Sequence, residues 1–171
     1  DQYDVTIRRD LRGVPHILGK SNPDVAFGLA YAHAEDAWPL IEEAIPFYRG
    51  ENGRYVGPDG AITDYLVEWL GIWETIEANY IMDLSPDARA YIQAYADGLT
   101  FDASQHPDAV DLSRMPVTAY DLVAGSMLRH LLFYGFDHAV EELFEETRQS
   151  QVSAVIRPPK RRSEIRIQEP E

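Results

Sequence analysis

The sequence contains no cysteine. This excludes disulfide bridges and thiolate metal centres, and it removes redox chemistry as a guide to compartment. Basic residues are scarce: 15 Lys and Arg stand against 29 Asp and Glu, a formal net charge of −14 with a pI near 4.6. A surface of that sign repels a phosphate backbone and an anionic lipid headgroup, so neither nucleic acid nor a membrane surface is expected as a partner. No stretch reaches the ~18 uninterrupted apolar residues of a membrane-spanning helix. The nearest, Leu122 to Phe136, is interrupted by Arg129 and His130, so no membrane insertion is expected. The polar, acidic first residues do not read as a signal peptide, although a mature chain processed to begin at Asp1 would look the same. There is no internal repeat. What remains is a chain of 171 residues, 45% hydrophobic, which suits one domain burying roughly 70% of its unfolded surface.

Local patterns place most elements. Val5 and Ile7 alternate with charged residues as in a short strand, followed by a turn at Gly13. One such strand cannot complete a sheet, so it is expected to pair with another chain or with sequence lying outside these residues. Asn22-Pro23-Asp24 reads as a helix start: Asn22 caps, Pro23 takes the first helical position and Asp24 favours the positive end of the dipole. Pro39 should kink or split this helix, and Pro46 should limit it at about Ala44. Residues 50–60 hold Gly50, Gly53, Gly57, Pro58 and Gly60 and read as a loop. Leu66, Trp69, Leu70, Trp73, Ile76 and Tyr80 recur at helical spacing. Ser85-Pro86-Asp87 opens a further helix whose stripe is Tyr91, Ile92, Tyr95 and Leu99, with Gly98 near its expected end. Asp102 to Pro116 is polar and irregular. Thr118-x-x-Asp121 resembles a capping box ahead of the most apolar run in the chain, and a helix apolar nearly all round should be buried. Beyond about Gln149, Pro158-Pro159-Lys160-Arg161-Arg162 and Glu169-Pro170-Glu171 read as a tail or cleavable spacer. The domain assignment is therefore 1–148 for the folded part and 149–171 for the tail.

Five segments together resemble the small chain of the penicillin, cephalosporin and N-acyl-homoserine-lactone acylases, within the N-terminal-nucleophile hydrolases. They are Ile7-Arg8-Arg9-Asp10-x-x-Gly13-Val14-Pro15-His16-Ile17; Phe27-Gly28 through Ala34-Glu35-Asp36; Arg49-Gly50-Glu51-Asn52-Gly53-Arg54-Tyr55-Val56-Gly57; Leu84-Ser85-Pro86 with Tyr95-Ala96-Asp97-Gly98; and Asp121-Leu122-Val123-Ala124, leading to Leu132-Phe133-Tyr134. They occur in the family's order over residues 4 to 136. Two positions depart from its usual pattern, Glu35 for Gln and Ala37 for Arg, so a polar contact there must be rebuilt or lost. No Gly-Ser junction stands at the chain's C-terminal end.

The resemblance implies an α+β fold class: a mostly helical small chain that completes a four-layer αββα N-terminal-nucleophile hydrolase fold with a larger chain of the same precursor, as an αβ heterodimer. It implies a linear-amide hydrolase acting on N-acyl-homoserine lactones or β-lactam side chains, in the periplasm or secreted. The nucleophile would be the first residue of the larger chain, so this chain supplies no catalytic residue. Residues 149–171 would be a spacer remnant. Counted without gaps from Asp121, His130, Phe133 and Tyr134 fall at acyl-pocket positions with Phe136 close by, although the same aromatics could be ordinary core. Aromatic walls suit an acyl group, because such pockets bind mainly by apolar burial.

Other groups read more simply. His16 is expected to be a hydrogen-bonded structural histidine. His33, Glu35 and Asp36 lack helical ligand spacing, so zinc is not expected. No Gly-x-Ser-x-Gly occurs. Glu141, Glu142, Glu145 and Glu146 suit a solvated helix face. No cofactor is expected; some family members place a calcium ligand nearby, for which Glu141 or Glu142 would serve only with a shift in register. Two rival readings are an acidic helical interaction module and an acylase homologue without a nucleophile.

Overall fold

The computed structural model describes residues 2–136. It divides into two compact units, Asp1–His130 and Leu131–Glu171. The expected tail, the acidic run at 141–146 and the calcium candidates Glu141 and Glu142 lie outside the described residues.

The first unit opens with an antiparallel hairpin of β1 (Val5–Arg9) and β2 (Pro15–Gly19), in the register Val5↔Gly19, Ile7↔Ile17, Arg9↔Pro15. The opening strand thus finds its partner within the chain, contrary to the expectation of a partner elsewhere. The second strand is hard to see in sequence because it is five residues long and begins on a proline, a residue confined to strand starts and edges. Asp10 holds the turn by accepting from the backbone N–H groups of Arg12 and Val14. Those bonds keep its carboxyl below the usual range.

The hairpin lies on α1 (Asn22–Arg49). A Cβ at Gly28 would stand 2.6 Å from Val5 Cγ2 and 2.9 Å from Ile17 Cγ2, so glycine is what lets the helix reach the sheet. The cap is Ser21, one residue earlier than expected, in a reciprocal capping box with Asp24. Asp24 also accepts from the backbone N–H of Asp4 at 2.9 Å, tying helix start to strand start. This backbone bond, with the Ser21 hydroxyl, pulls its carboxyl pKa down. The kink falls at Ala37, φ −143°, two residues before Pro39. Pro46 does not end the helix, which runs on to Arg49 and stops at Gly50 in the left-handed conformation, φ 68°.

The expected loop at 50–60 is instead α2 (Asn52–Val56) and a 3₁₀ turn, Gly57–Gly60. Asp64 orders it by accepting from the N–H groups of Asn52 and Gly53 at 2.6 and 2.7 Å. The long helical stripe that follows is two helices, α3 (Ala61–Trp69) and α4 (Ile72–Asp83). They part at Gly71, φ 59°, a conformation that a side chain resists. Next comes α5 (Pro86–Gln105), capped by Ser85 as expected.

Gly98 does not end α5; it lies inside it. A Cβ there would run into the Phe27 carbonyl oxygen and come within 2.8 Å of Ala30 Cβ, so Gly98 marks the closest approach of α5 to α1. The core between them is Ala30, Ala34, Trp38, Ile45, Leu99 and Ala103, closed by Val117. Asp102, expected in an irregular stretch, is buried in the last turns of α5. After a 3₁₀ turn at Leu112–Arg114, α6 (Ala119–Phe133) runs from the first unit into the second.

The described part of the second unit is the end of α6 and a turn at Gly135, φ 82°. Phe133 and Tyr134 are exposed there, with their rings edge to face at 5.6 Å.

Candidate functional site

The site grows from how α1 holds α6. Pro46 has no N–H to donate, so the carbonyl of Glu42 loses its helical partner; Arg114 Nη1 donates to it at 2.7 Å. Arg49, one turn further, donates from Nη1 to the Arg114 carbonyl at 3.0 Å and from Nη2 to the Pro116 carbonyl at 2.8 Å. Its Nε and Nη2 also form a two-pronged bond with Asp121, each at 2.8 Å. The Asp121 carboxylate, 1% exposed, accepts in turn from the Thr118 N–H and hydroxyl at 2.8 Å, which is the expected capping box. The matched fork geometry is what makes a half-buried Arg–carboxylate pair tolerable. Asp121 keeps the Arg49 guanidinium pKa above its ordinary value.

One turn along α6 a second contact follows. A Cβ at Gly125 would stand 2.5 Å from the Tyr48 ring, so the helix rests on that ring. Past these points α6 has no approach to α1 or α5 as close as that of α1 to α5. Its buried residues are Asp121, Ala124, Gly125 and Leu128, which share one side, and Ala119 in the first turn. The expectation of a helix buried all round does not hold for this chain alone.

The result is a groove of about 760 Å³ among α1, α5 and α6, within the size range of small-molecule sites. Leu40 and Ile41 form one wall, Tyr91 and Tyr95 another and Leu122 a third, over a floor of Ile45, Leu99 and Val117. Polar groups gather at the edge. His33 Nδ1 lies 2.7 Å from the Tyr95 hydroxyl, whose pKa burial raises. Arg129 Nη2 donates to the Tyr48 hydroxyl at 3.3 Å.

His130, expected in an acyl pocket, lines this groove. Its Nδ1 donates to the Ser126 carbonyl at 2.8 Å, and Nε2 has no hydrogen-bond partner among the described residues. Phe133 and Tyr134 are solvent-exposed and Phe136 is partly buried, all three in the second unit. The groove walls were not singled out from sequence as a site, although Tyr91, Tyr95 and Leu99 were visible as a helical stripe. The Arg49–Asp121 pair had no sequence signal, since its partners stand 72 positions apart.

His16 is exposed on β2, and its Nε2 stands 3.6 Å from Asp10 Oδ2, a loose polar contact beside the hairpin turn. Glu35 and Asp36 both bind Arg9, at 2.9 and 3.0 Å, so of the two atypical positions Glu35 keeps a polar contact, made to β1, while Ala37 offers none. Among the described residues, no three or more His, Asp or Glu side chains converge as a metal site.

The family model described as Penicillin amidase matches residues 4–157. The chain belongs to the penicillin amidase family. An acyl-homoserine lactone acylase, PvdQ, of Pseudomonas savastanoi pv. phaseolicola (strain 1448A / Race 6) is 31% identical over 144 residues, covering 75% of this chain and 18% of that protein. The penicillin acylase 2 proenzyme of Pseudomonas sp. (strain SE83) is 29% identical over 104 residues, 60% of this chain and 13% of the proenzyme. In structure, a chain of the thermostable penicillin G acylase from Alcaligenes faecalis superposes over 100% of both chains with a TM-score of 0.62 at 20% identity, a likeness of fold. This member of the family therefore spans less than a fifth of the curated relatives it matches.

Proposed function

We propose that this chain is the small subunit of an acylase that cleaves the linear amide of N-acyl-homoserine lactones or β-lactam side chains. The observation that carries the reading is one of extent. The family match runs through residues 4–157, and the same chain covers a whole chain of penicillin G acylase but only 18% of an acyl-homoserine lactone acylase. A complete amide hydrolase needs an activated nucleophile and fixed donors for the oxyanion. Both belong to the larger chain of the same precursor, whose first residue is Ser, Thr or Cys. That residue's own amine, which titrates near neutrality, takes the hydroxyl or thiol proton. The larger chain also completes the four-layer fold.

The small chain contributes acyl-pocket wall rather than chemistry. Tyr134, Phe133 and Phe136 stand at or just beyond the end of α6, and aromatic side chains favour an apolar acyl group; His130, which lines the groove of the first unit, is left out of that wall. The chain needs no cofactor for this role. The enzyme acts in the periplasm or outside the cell, a reading whose support is the family resemblance alone.

Expression of the full gene, with native and denaturing intact mass and N-terminal sequencing of each chain, tests the assignment. A several-fold larger partner beginning with Ser, Thr or Cys, and turnover of an acyl-homoserine lactone, is the expected result. A larger partner with another first residue would mean a binding protein without turnover. A lone stable chain of this mass would overturn the reading in favour of an interaction module. In the active enzyme, Tyr134→Ala should shift preference across an acyl-length series while leaving chain cleavage intact; an unchanged series would remove Tyr134 from the pocket.

A further inference from the structure

We infer that the groove among α1, α5 and α6 is the seat of an apolar segment of the larger chain, one that carries an acidic residue at the basic edge, and is not itself the acyl pocket. The inference rests on the reading above and deepens it by placing the partner on a surface.

The argument begins with a mismatch between sequence and burial. The run Leu122 to Phe133 is apolar over most of its circumference, a composition that belongs to a helix covered on all sides. Yet beyond its first turn only one side of α6 is buried. Leu122, Val123 and Met127 remain partly open, and across the groove Leu40 is 70% exposed and Tyr91 38%. An apolar surface continuous over three helices is a large one to leave to water. The relatives supply the missing cover, since more than four-fifths of the length of the acyl-homoserine lactone acylase lies outside the part this chain matches.

Charge narrows the occupant further. The chain carries a net −14, yet the groove is edged by His33, Arg129 and His130. Arg129 has no carboxylate partner among the described residues; its one side-chain bond is to the Tyr48 hydroxyl. A cation at the lip of an apolar trench on an acidic molecule suits an apolar segment ending in Asp or Glu. The lining residues come from three helices, the kind of groove into which an amphipathic segment docks.

The test uses the enzyme made from the full gene, with the photo-crosslinking residue p-benzoylphenylalanine in place of Leu40. Irradiation should give a species of the summed mass of the two chains, with the cross-link mapping to an apolar larger-chain peptide that contains Asp or Glu. Leu40→Glu should lower the urea concentration at which the chains separate and weaken their association at least tenfold. Because Leu40 is exposed in this chain, the variant should leave the small chain folded. The acyl-length preference of the enzyme that does assemble should be unchanged. Cross-links confined to residues 137–171 or to a second copy of this chain would overturn the inference. So would a Leu40→Glu enzyme that assembles normally but changes acyl preference, which would make the groove the acyl pocket. If no larger chain is produced, the subunit reading itself fails. If a larger chain is present and position 40 does not reach it, only the docking inference falls.

Discussion

Helix α1 is held against its two neighbours in opposite ways. Against α5 the contact is continuous and apolar: Ala30, Ala34, Leu99 and Ala103 are buried along its length, and Gly98 lets one backbone touch the other. Against α6 the contact is discrete: a forked arginine–carboxylate pair and one glycine on a tyrosine ring. Small residues allow a close approach and leave little space between the two backbones. A polar clamp at one end fixes where a helix begins but leaves the remaining space unfilled. The groove exists because the second kind of contact was used where the first would have closed it.

Breaking the clamp should have the largest effect. Arg49→Ala leaves Asp121 buried without its cation and the Arg114 and Pro116 carbonyls without a donor. The expected loss is about 3–5 kcal/mol by chemical denaturation, with Arg49→Lys falling well short of full rescue because an ammonium cannot make the fork. A loss under about 1 kcal/mol would mean that α6 is held by something other than the clamp. The apolar side of the comparison is tested by Gly98→Ala. Its methyl would meet the Phe27 backbone, which cannot yield as a side chain can, for an expected cost of about 1–3 kcal/mol in thermal denaturation. Ser21→Ala, which removes half of the first capping box, should cost about 1 kcal/mol by the same measurement.

The smallest effect carries a sign. Asp102 is buried with Oδ1 unbonded, and burial raises its carboxyl pKa against the opposing pull of His106, whose Nδ1 stands 3.4 Å away, with Glu35 adding to the rise. A raised folded-state value means that the folded protein holds this proton more tightly than the unfolded chain does. This contribution therefore falls as pH rises from the ordinary carboxyl value through the folded one, and stays low above it. Asp102→Asn should then stabilise by about 1 kcal/mol at pH 7 and by almost nothing at pH 3. Denaturation of both proteins at the two pH values decides it. A destabilised variant at pH 7 would assign the charged carboxylate a partner.

These effects also separate what could be read from residues alone. Helix starts with a side-chain cap were legible, because a cap needs only neighbours in sequence: Ser85 and Thr118-x-x-Asp121 stand as read, and the first cap missed by one residue, from Asn22 to Ser21; the uncapped starts of α2, α3 and α4 were not. The kink before Pro39 was legible for the same reason. Helix ends were not. Pro46 should have stopped α1, and it does not, because Arg114, far along the chain, supplies the donor that the proline removed from Glu42. Gly98 read as a terminator and is a packing residue. The expected site residue His130 lines the groove, but its main walls lie on α1 and α5.

By itself the sequence determined family, helical class and the apolar character of α6, since composition, short motifs and periodicity are properties of adjacent residues. Only the tertiary structure decided that β1 pairs with β2, that Arg49 meets Asp121 and that α6 is covered on one side alone. Each of these depends on which surfaces are brought together across tens of residues. A half-covered apolar helix in particular is a property of what three helices leave open between them, which none of their sequences contains separately.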